Sequence, residues 1–251
     1  MSSMDQDHTD EDLGLLESKV DASGGGSEAG GSNPNSTEED QTDESNAPAD
    51  PLLRSLTRPI PKKKITVKVG LVGDTQIGKT TLMVKYVEGT FNEDYIQTLG
   101  VNFMQKTISL KNTDIMFTIW DLGGNREYMH MLPLVCNEAL ALLFVFDLTR
   151  RSTLASIKSW YKQARTLNKT APPFLVGTKF DQFDTMSEED QREITDQARK
   201  FAKAMHAPLI FCSASESINV HKLFKIVLSK VFNLQCNVER MSNYGEPIIE
   251  Y

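Results

Sequence analysis

Apolar residues fall into two rhythms along the chain, and both start only near residue 65. Residues 65–72 (Ile-Thr-Val-Lys-Val-Gly-Leu-Val) are β-branched and apolar and predict a strand, and 81–87 carry a helix-compatible run after a glycine-bounded loop. Residues 101–110 alternate, 115–120 follow across a turn at 111–114, and the two together predict an antiparallel hairpin. Residues 139–146 are apolar without interruption, as in a strand covered on both faces, and 174–177 and 208–212 give two shorter ones. Between them the period changes to that of a helix. Leu154, Ile157, Tyr161, Ala164 and Leu167 share one face, as do Ile194, Ala198, Phe201 and Met205 behind a Ser187 cap with Asp190 three residues on. Val220, Leu223, Val227, Val231 and Leu234 make a third face. Strands alternating with helices of this length predict an α/β fold: a six-stranded, mostly parallel sheet with helices on both faces.

Composition changes the picture mainly by removing the first quarter of the chain from the fold. Residues 1–60 hold 14 acids and three bases, no aromatic residue and a Gly/Ser-rich stretch, whereas the rest carries a net charge of +4. Such a segment cannot bury enough apolar surface to offset chain entropy, so 1–60 reads as a disordered acidic tail. Its most compact apolar cluster, Leu13 to Leu16, is either a short docking motif or nothing. Residues 61–64 read as a basic linker, 65–234 as one domain, and 235–251 as a C-terminal extension. Cys136, Cys212 and Cys236 lack the spacing of a disulfide framework or metal site and read as reduced thiols. No signal sequence, membrane span, prenylation box or myristoylation glycine is found, which predicts a cytoplasmic protein with no direct membrane anchor. His130, His206 and His221 sit on separate elements without ligand spacing, and the short basic run at 62–64 does not suit nucleic acid.

The chemistry concentrates in Gly73-Asp74-Thr75-Gln76-Ile77-Gly78-Lys79-Thr80, a strand-to-helix loop with two glycines four residues apart, followed by Lys and Thr. Backbone N–H groups of such a loop can wrap a phosphate, and the following helix, with Thr81 in its first turn, points its positive end at the same anion. Lys79 supplies charge for the outer phosphates and Thr80 a hydroxyl of the right type for Mg²⁺. At the next strand end, Asp121 can hold Mg²⁺ through water, and Gly124 leaves room for its backbone N–H to approach a γ-phosphate. Further on, Thr178-Lys179-Phe180-Asp181 offers a carboxylate for the N1–H and amine of guanine, with the Lys179 stem over the base. Ser213-Ala214-Ser215 offers N–H groups for guanine O6. Each falls at a successive strand end, where open α/β sheets bind ligands.

These stretches, with Thr98, match in order the five nucleotide motifs of the Ras superfamily, and residues 65–251 resemble a small GTPase of P-loop NTPase fold. Within that superfamily the chain is similar to the septum-promoting GTPases of septation initiation and mitotic exit. The stretches Gln97-Thr-Leu-Gly-Val-Asn-Phe-Met104, Ser159-Trp-Tyr161 and Gly245-Glu-Pro-Ile-Ile249 carry that likeness, as does Thr178 in place of the usual Asn. The resemblance implies that GTP or GDP binds with Mg²⁺ held by Thr80, Thr98 and Asp121. It also implies that Thr98 orders a switch loop only with GTP and that Phe91 packs on the base. Met104, Phe117 and Trp120 are implied either to face an effector or to be core. The implied partners are an effector protein kinase and a GTPase-activating protein that supplies Arg and Gln in trans. The implied protein is a monomer, recruited to spindle poles or centrosomes by other proteins.

One departure bears on catalysis, for which the resemblance implies roles for Lys79, Thr98 and the residue after Gly124. That residue is Asn125 where the family has a water-positioning Gln. Its amide falls about 1.5 Å short. Displacements of that size can cost ~10²-fold, so slow intrinsic hydrolysis is expected. A nucleotide-locked module that binds GTP without cycling is the alternative. A P-loop kinase or ATPase would require Asp181 to be incidental.

Overall fold

A computed structural model describes residues 62–92, 94, 96–109 and 112–251. The acidic tail and Glu93, Tyr95, Leu110 and Lys111 lie outside the described residues. The chain divides into a unit of 64–109 with 115–251 and a smaller unit of 1–63 with 110–114. Of the smaller unit only 62, 63 and 112–114 are described, and there Lys62 pairs with Asp114 at 3.5 Å.

The strands are β1 (Lys63–Val72), β2 (Val101–Ser109), β3 (Thr113–Leu122), β4 (Ala141–Asp147), β5 (Pro173–Thr178), β6 (Leu209–Phe211) and β7 (Ile249–Glu250). The helices are α1 (Lys79–Glu88), α2 (Leu132–Cys136), α3 (Arg151–Leu167), α4 (Phe180–Phe183), α5 (Glu188–Met205) and α6 (Val220–Val231), with a 3₁₀ turn at Arg126–Met131. The sheet order is β2-β3-β1-β4-β5-β6-β7. β1, β4, β5 and β6 pair in parallel, and β7 is antiparallel to β6. Two differences from the sequence expectation stand out. The sheet has seven strands where six were expected, the seventh being formed by the extension at 235–251. β1 opens at Lys63, inside the stretch read as linker.

β4 shows why an uninterrupted apolar run is a central strand. All seven of its residues are buried. Leu142, Phe144 and Phe146 pack into a core with Leu154, Ile157 and Trp160 of α3 and with Ile194 and Ala198 of α5. The alternate residues Ala141, Leu143 and Val145 must face the other side of the pleat. A second aromatic cluster joins α1, β3 and α6. Tyr86 stacks on Phe224 at 3.7 Å between ring centroids and meets Phe117 edge-on at 5.7 Å. Phe117 is fully buried, so it is core and cannot face an effector; Trp120 is half-buried and stacks on Phe103. α5 opens as read, with Ser187 Oγ accepting the Asp190 N–H at 3.2 Å. Among the described residues, no helix is long and apolar enough to cross a membrane.

Candidate functional site

The loops leaving β1, β3, β5 and β6, with the connection from α1 to β2, enclose a cavity of about 780 Å³. That volume is typical of a small-ligand site. It is lined by Thr75, Gln76, Ile77, Gly78, Lys79, Thr80 and Thr81 at one end and by Thr178, Lys179, Asp181 and Ala214 at the other. Phe91, Thr98 and Gly124 close its sides. Gly73 and Asp74 lie behind the loop and serve it through their carbonyls, which accept from Lys79 Nζ at 3.0 and 2.6 Å. Gly73 has φ +150°, and a Cβ there would stand 2.3 Å from the Val145 carbonyl oxygen, so the loop can cross β4 only with glycine at this position.

Lys79 and Asp121 are both buried, at 6% and 0% exposure. Burial pushes the Lys79 ammonium below its usual pKa and the Asp121 carboxyl above its own, and each charge partly offsets the other's shift. Asp121 Oδ2 accepts hydrogen bonds from the hydroxyls of both Thr80 and Thr98, the second at 3.3 Å. Those two hydroxyl oxygens stand 2.6 Å apart. Asp121 Oδ1 is buried with no hydrogen-bond partner among the described residues. Two hydroxyls and a carboxylate, one of whose oxygens is buried and unsatisfied, form the hard oxygen set that suits Mg²⁺. The same contact brings Thr98, from the loop before β2, onto α1. Gly124 completes the closure: a Cβ on it would fall 2.2 Å from the Asp74 carbonyl carbon, an approach only glycine permits.

The other end is held by side chains reaching far along the chain. Thr178 Oγ1 donates to the carbonyls of Ile77 at 2.5 Å or Phe146 at 3.0 Å, tying β5 to the phosphate loop and to β4. Lys179, at φ +59°, reaches the Gln76 carbonyl at 3.1 Å and the Asp147 carboxylate at 2.8 Å. Burial works to raise the Asp147 carboxyl, but the hydrogen bonds from Lys179 and Thr149 outweigh it and hold the group below its ordinary range. Asp181 accepts from Ser213 Oγ at 2.6 Å, which joins the two loops read as base-recognising, while Ser213 itself is buried.

Asn125 is placed differently. Its Oδ1 accepts the Glu127 N–H at 3.3 Å and its Nδ2 donates to Glu127 Oε1 at 2.7 Å, so the amide caps its own 3₁₀ turn and does not line the cavity. Three residues that sequence reading left unassigned support the loop. Trp160 Nε1 donates to Asp74 Oδ1 at 2.8 Å. Arg150 donates to the Thr75 carbonyl at 2.9 Å and to Asp147 at 2.9 Å. An Asp at a strand end followed by Arg was the available signal for the Asp147–Arg150 pair; nothing local marks Trp160.

The pattern of the Ras family matches residues 68–233. The chain is 63% identical over 190 residues to septum-promoting GTP-binding protein 1 of Schizosaccharomyces pombe, covering 76% of this chain and 96% of that protein. It is 30% identical over 177 residues to the human Ras-related protein Rab-22A, covering 68% and 87%. With the Saccharomyces cerevisiae Ras-related protein SEC4 it shares 29% over 181 residues, covering 71% and 80%. Matches of this extent, on a sheet whose strand ends converge on one cavity, make the chain a member of the Ras family of small GTPases.

Proposed function

We propose that this chain is a guanine-nucleotide switch that binds GTP or GDP with Mg²⁺, hydrolyses GTP slowly, and signals in septation or mitotic exit through a protein kinase. The observation that carries the switch is Thr98 folded onto Thr80 and Asp121, since it couples a loop before β2 to the metal-type oxygen set. Bound Mg²⁺ supplies countercharge to the outer phosphates. Thr80, Thr98 and Asp121 are the residues that hold it. Lys79 holds the β- and γ-phosphates, the backbone of 73–80 wraps them, and Gly124 presents its N–H to the γ-phosphate. Asp181 and the Ser213-Ala214 backbone read guanine, with Phe91 and the Lys179 stem against the base. The septation role rests on the name of the 63%-identical relative. Recruitment to spindle poles by partners, a monomeric state and an activating protein that works in trans belong to the same reading.

Slow turnover is supported by Asn125, whose amide is engaged with Glu127. That engagement equally favours a second reading, a module that holds GTP without cycling. The nucleotide recovered from purified protein separates the two: GDP is expected, and GTP persisting through purification would favour the locked module. Asn125→Gln is expected to raise single-turnover hydrolysis by up to ~10²-fold; an unchanged rate would remove Asn125 as the cause of slow turnover. Asp181→Asn should turn preference from guanine to xanthine nucleotides, and unchanged GTP preference would refute the base-reading role.

A further inference from the structure

The last residues of the chain are built into the sheet next to the base-reading loop. β6 is three residues long and leads through Cys212 into Ser213 and Ala214. One of its edges pairs with β5; the other pairs with β7 in the register Leu209↔Glu250 and Ile210↔Ile249. Just beyond β6's pairing with β7, Phe211 N–H donates to the Ile248 carbonyl at 2.9 Å. Ile248 and Ile249 are buried at 1% and 0% exposure.

A single side chain connects the three parts. Asn219 follows the loop whose ends, Ser213 and Ile218, form an antiparallel bridge. Its Nδ2 donates both to the Phe211 carbonyl of β6 and to the Pro247 carbonyl of the C-terminal segment, each at 2.9 Å. Asn219 is 7% exposed and has φ +57°, a conformation Asn and Gly tolerate best. On its far side the segment is fastened to α5, where Arg199 donates to Glu250 at 2.7 Å and Tyr244 donates to Asp196 at 2.6 Å. The Tyr251 hydroxyl donates to the Val238 carbonyl at 2.5 Å.

We propose that the 245–251 segment, acting through β6 and Asn219, positions the loop at 213–216 and thereby sets how tightly the guanine O6 is held. Asn219 and Arg199 are positioning residues in this scheme, and neither touches nucleotide. The inference rests on the reading of 213–214 as the O6-binding backbone. A strand that merely covers a sheet edge would protect the fold without discriminating between bases.

Release of GDP and of 6-thio-GDP tests this, because the thio analogue keeps the N1–H and amine for Asp181 and weakens only the 6-position acceptor. Asn219→Gly removes the amide while suiting the backbone, and GDP release from the full chain should then rise ~5–10-fold, as for loss of one or two hydrogen bonds. Release of 6-thio-GDP should rise less than ~2-fold, since the bond being loosened is already weak. Arg199→Met, distant from the loop, should accelerate GDP release ~2-fold with the same selectivity, as for a half-exposed ion pair. That variant decides the matter if Asn219→Gly does not fold. Equal acceleration of both nucleotides, or none in either variant, would overturn the proposal. A native chain that releases both nucleotides at the same rate would instead refute the O6 reading itself.

Discussion

At the phosphate end of the cavity a full pair of charges, Lys79 and Asp121, lies at 6% and 0% exposure; at the base end Lys179 and Asp181 remain half-exposed. The first pair is displaced toward neutrality by burial and leaves Asp121 Oδ1 without a partner among the described residues. The second end is satisfied within the chain: Lys179 bonds Asp147 and Gln76, and Asp181 bonds Ser213. One end therefore buries opposite charges with an oxygen left unbonded among the described residues, and the other is bonded within the chain. Affinity should come mainly from the first and choice of base from the second.

The sharpest way to break this contrast is Lys79→Met. It removes the donor to the Gly73 and Asp74 carbonyls and the charge that partly offsets the burial of Asp121, and the buried acceptor left unsatisfied alone costs ~1–3 kcal/mol. Nucleotide affinity should fall by more than ~10²-fold in the same variant if Lys79 meets the phosphate charge as proposed. Denaturant unfolding and nucleotide titration check both. Lys179→Met should cost under ~1.5 kcal/mol, because the buried Asp147 keeps Arg150 and Thr149 as donors. The sign of the pH dependence follows from Asp121. Its native pKa lies above the unfolded value of about 3.9, so the native state binds the extra proton. The Lys79→Met penalty should accordingly shrink as pH falls from 7 toward the unfolded pKa and level off below it. A penalty that grows on acidification would mean Asp121 is not the group left stranded.

The two ends also differed in how far the sequence revealed them. The phosphate loop is eight consecutive residues whose glycines, Lys and Thr all act within one turn of each other, so spacing alone located it. Asp121 and Thr98 needed the strand ends and a family resemblance. The long-range supports of both ends did not show, because Thr178 to Ile77 spans 101 residues, Lys179 to Gln76 spans 103, and Trp160 to Asp74 spans 86. Such bonds depend on sheet register, which local pattern does not carry. β7 escaped for a different reason. The two residues Ile249 and Glu250 are too few for an alternating pattern, and only their pairing with β6 makes them a strand.

Thr178→Val tests the junction between the ends. The hydroxyl donor that serves the Ile77 and Phe146 carbonyls is lost, and the shape is kept. A buried acceptor left unsatisfied costs ~1–3 kcal/mol, and unfolding in urea should show a loss in that range. Nucleotide release should quicken as well, since the phosphate loop is then no longer tied to β5. A stable variant with quicker release would mean that the hydroxyl positions the loop without holding the fold.

Trp160→Phe is the smallest of these effects and the most selective. The indole is buried at 3% exposure and packs in the main core, while the Asp74 carboxylate that accepts its N–H is half-exposed. Phe retains most of the packing, and water can replace the lost donor, so the cost should be only ~0.5–1.5 kcal/mol. Asp74 also gives its carbonyl to Lys79 and its backbone to the close approach of Gly124. Loss of the strut should therefore be felt at the phosphate end alone: release of GDP quickens ~2-fold, and the preference for guanine over xanthine stays where it was. Stopped-flow release of both nucleotides reads the difference. A shift in base preference would show that α3 also braces the base end, and the division of labour between the two ends would have to be redrawn around Trp160.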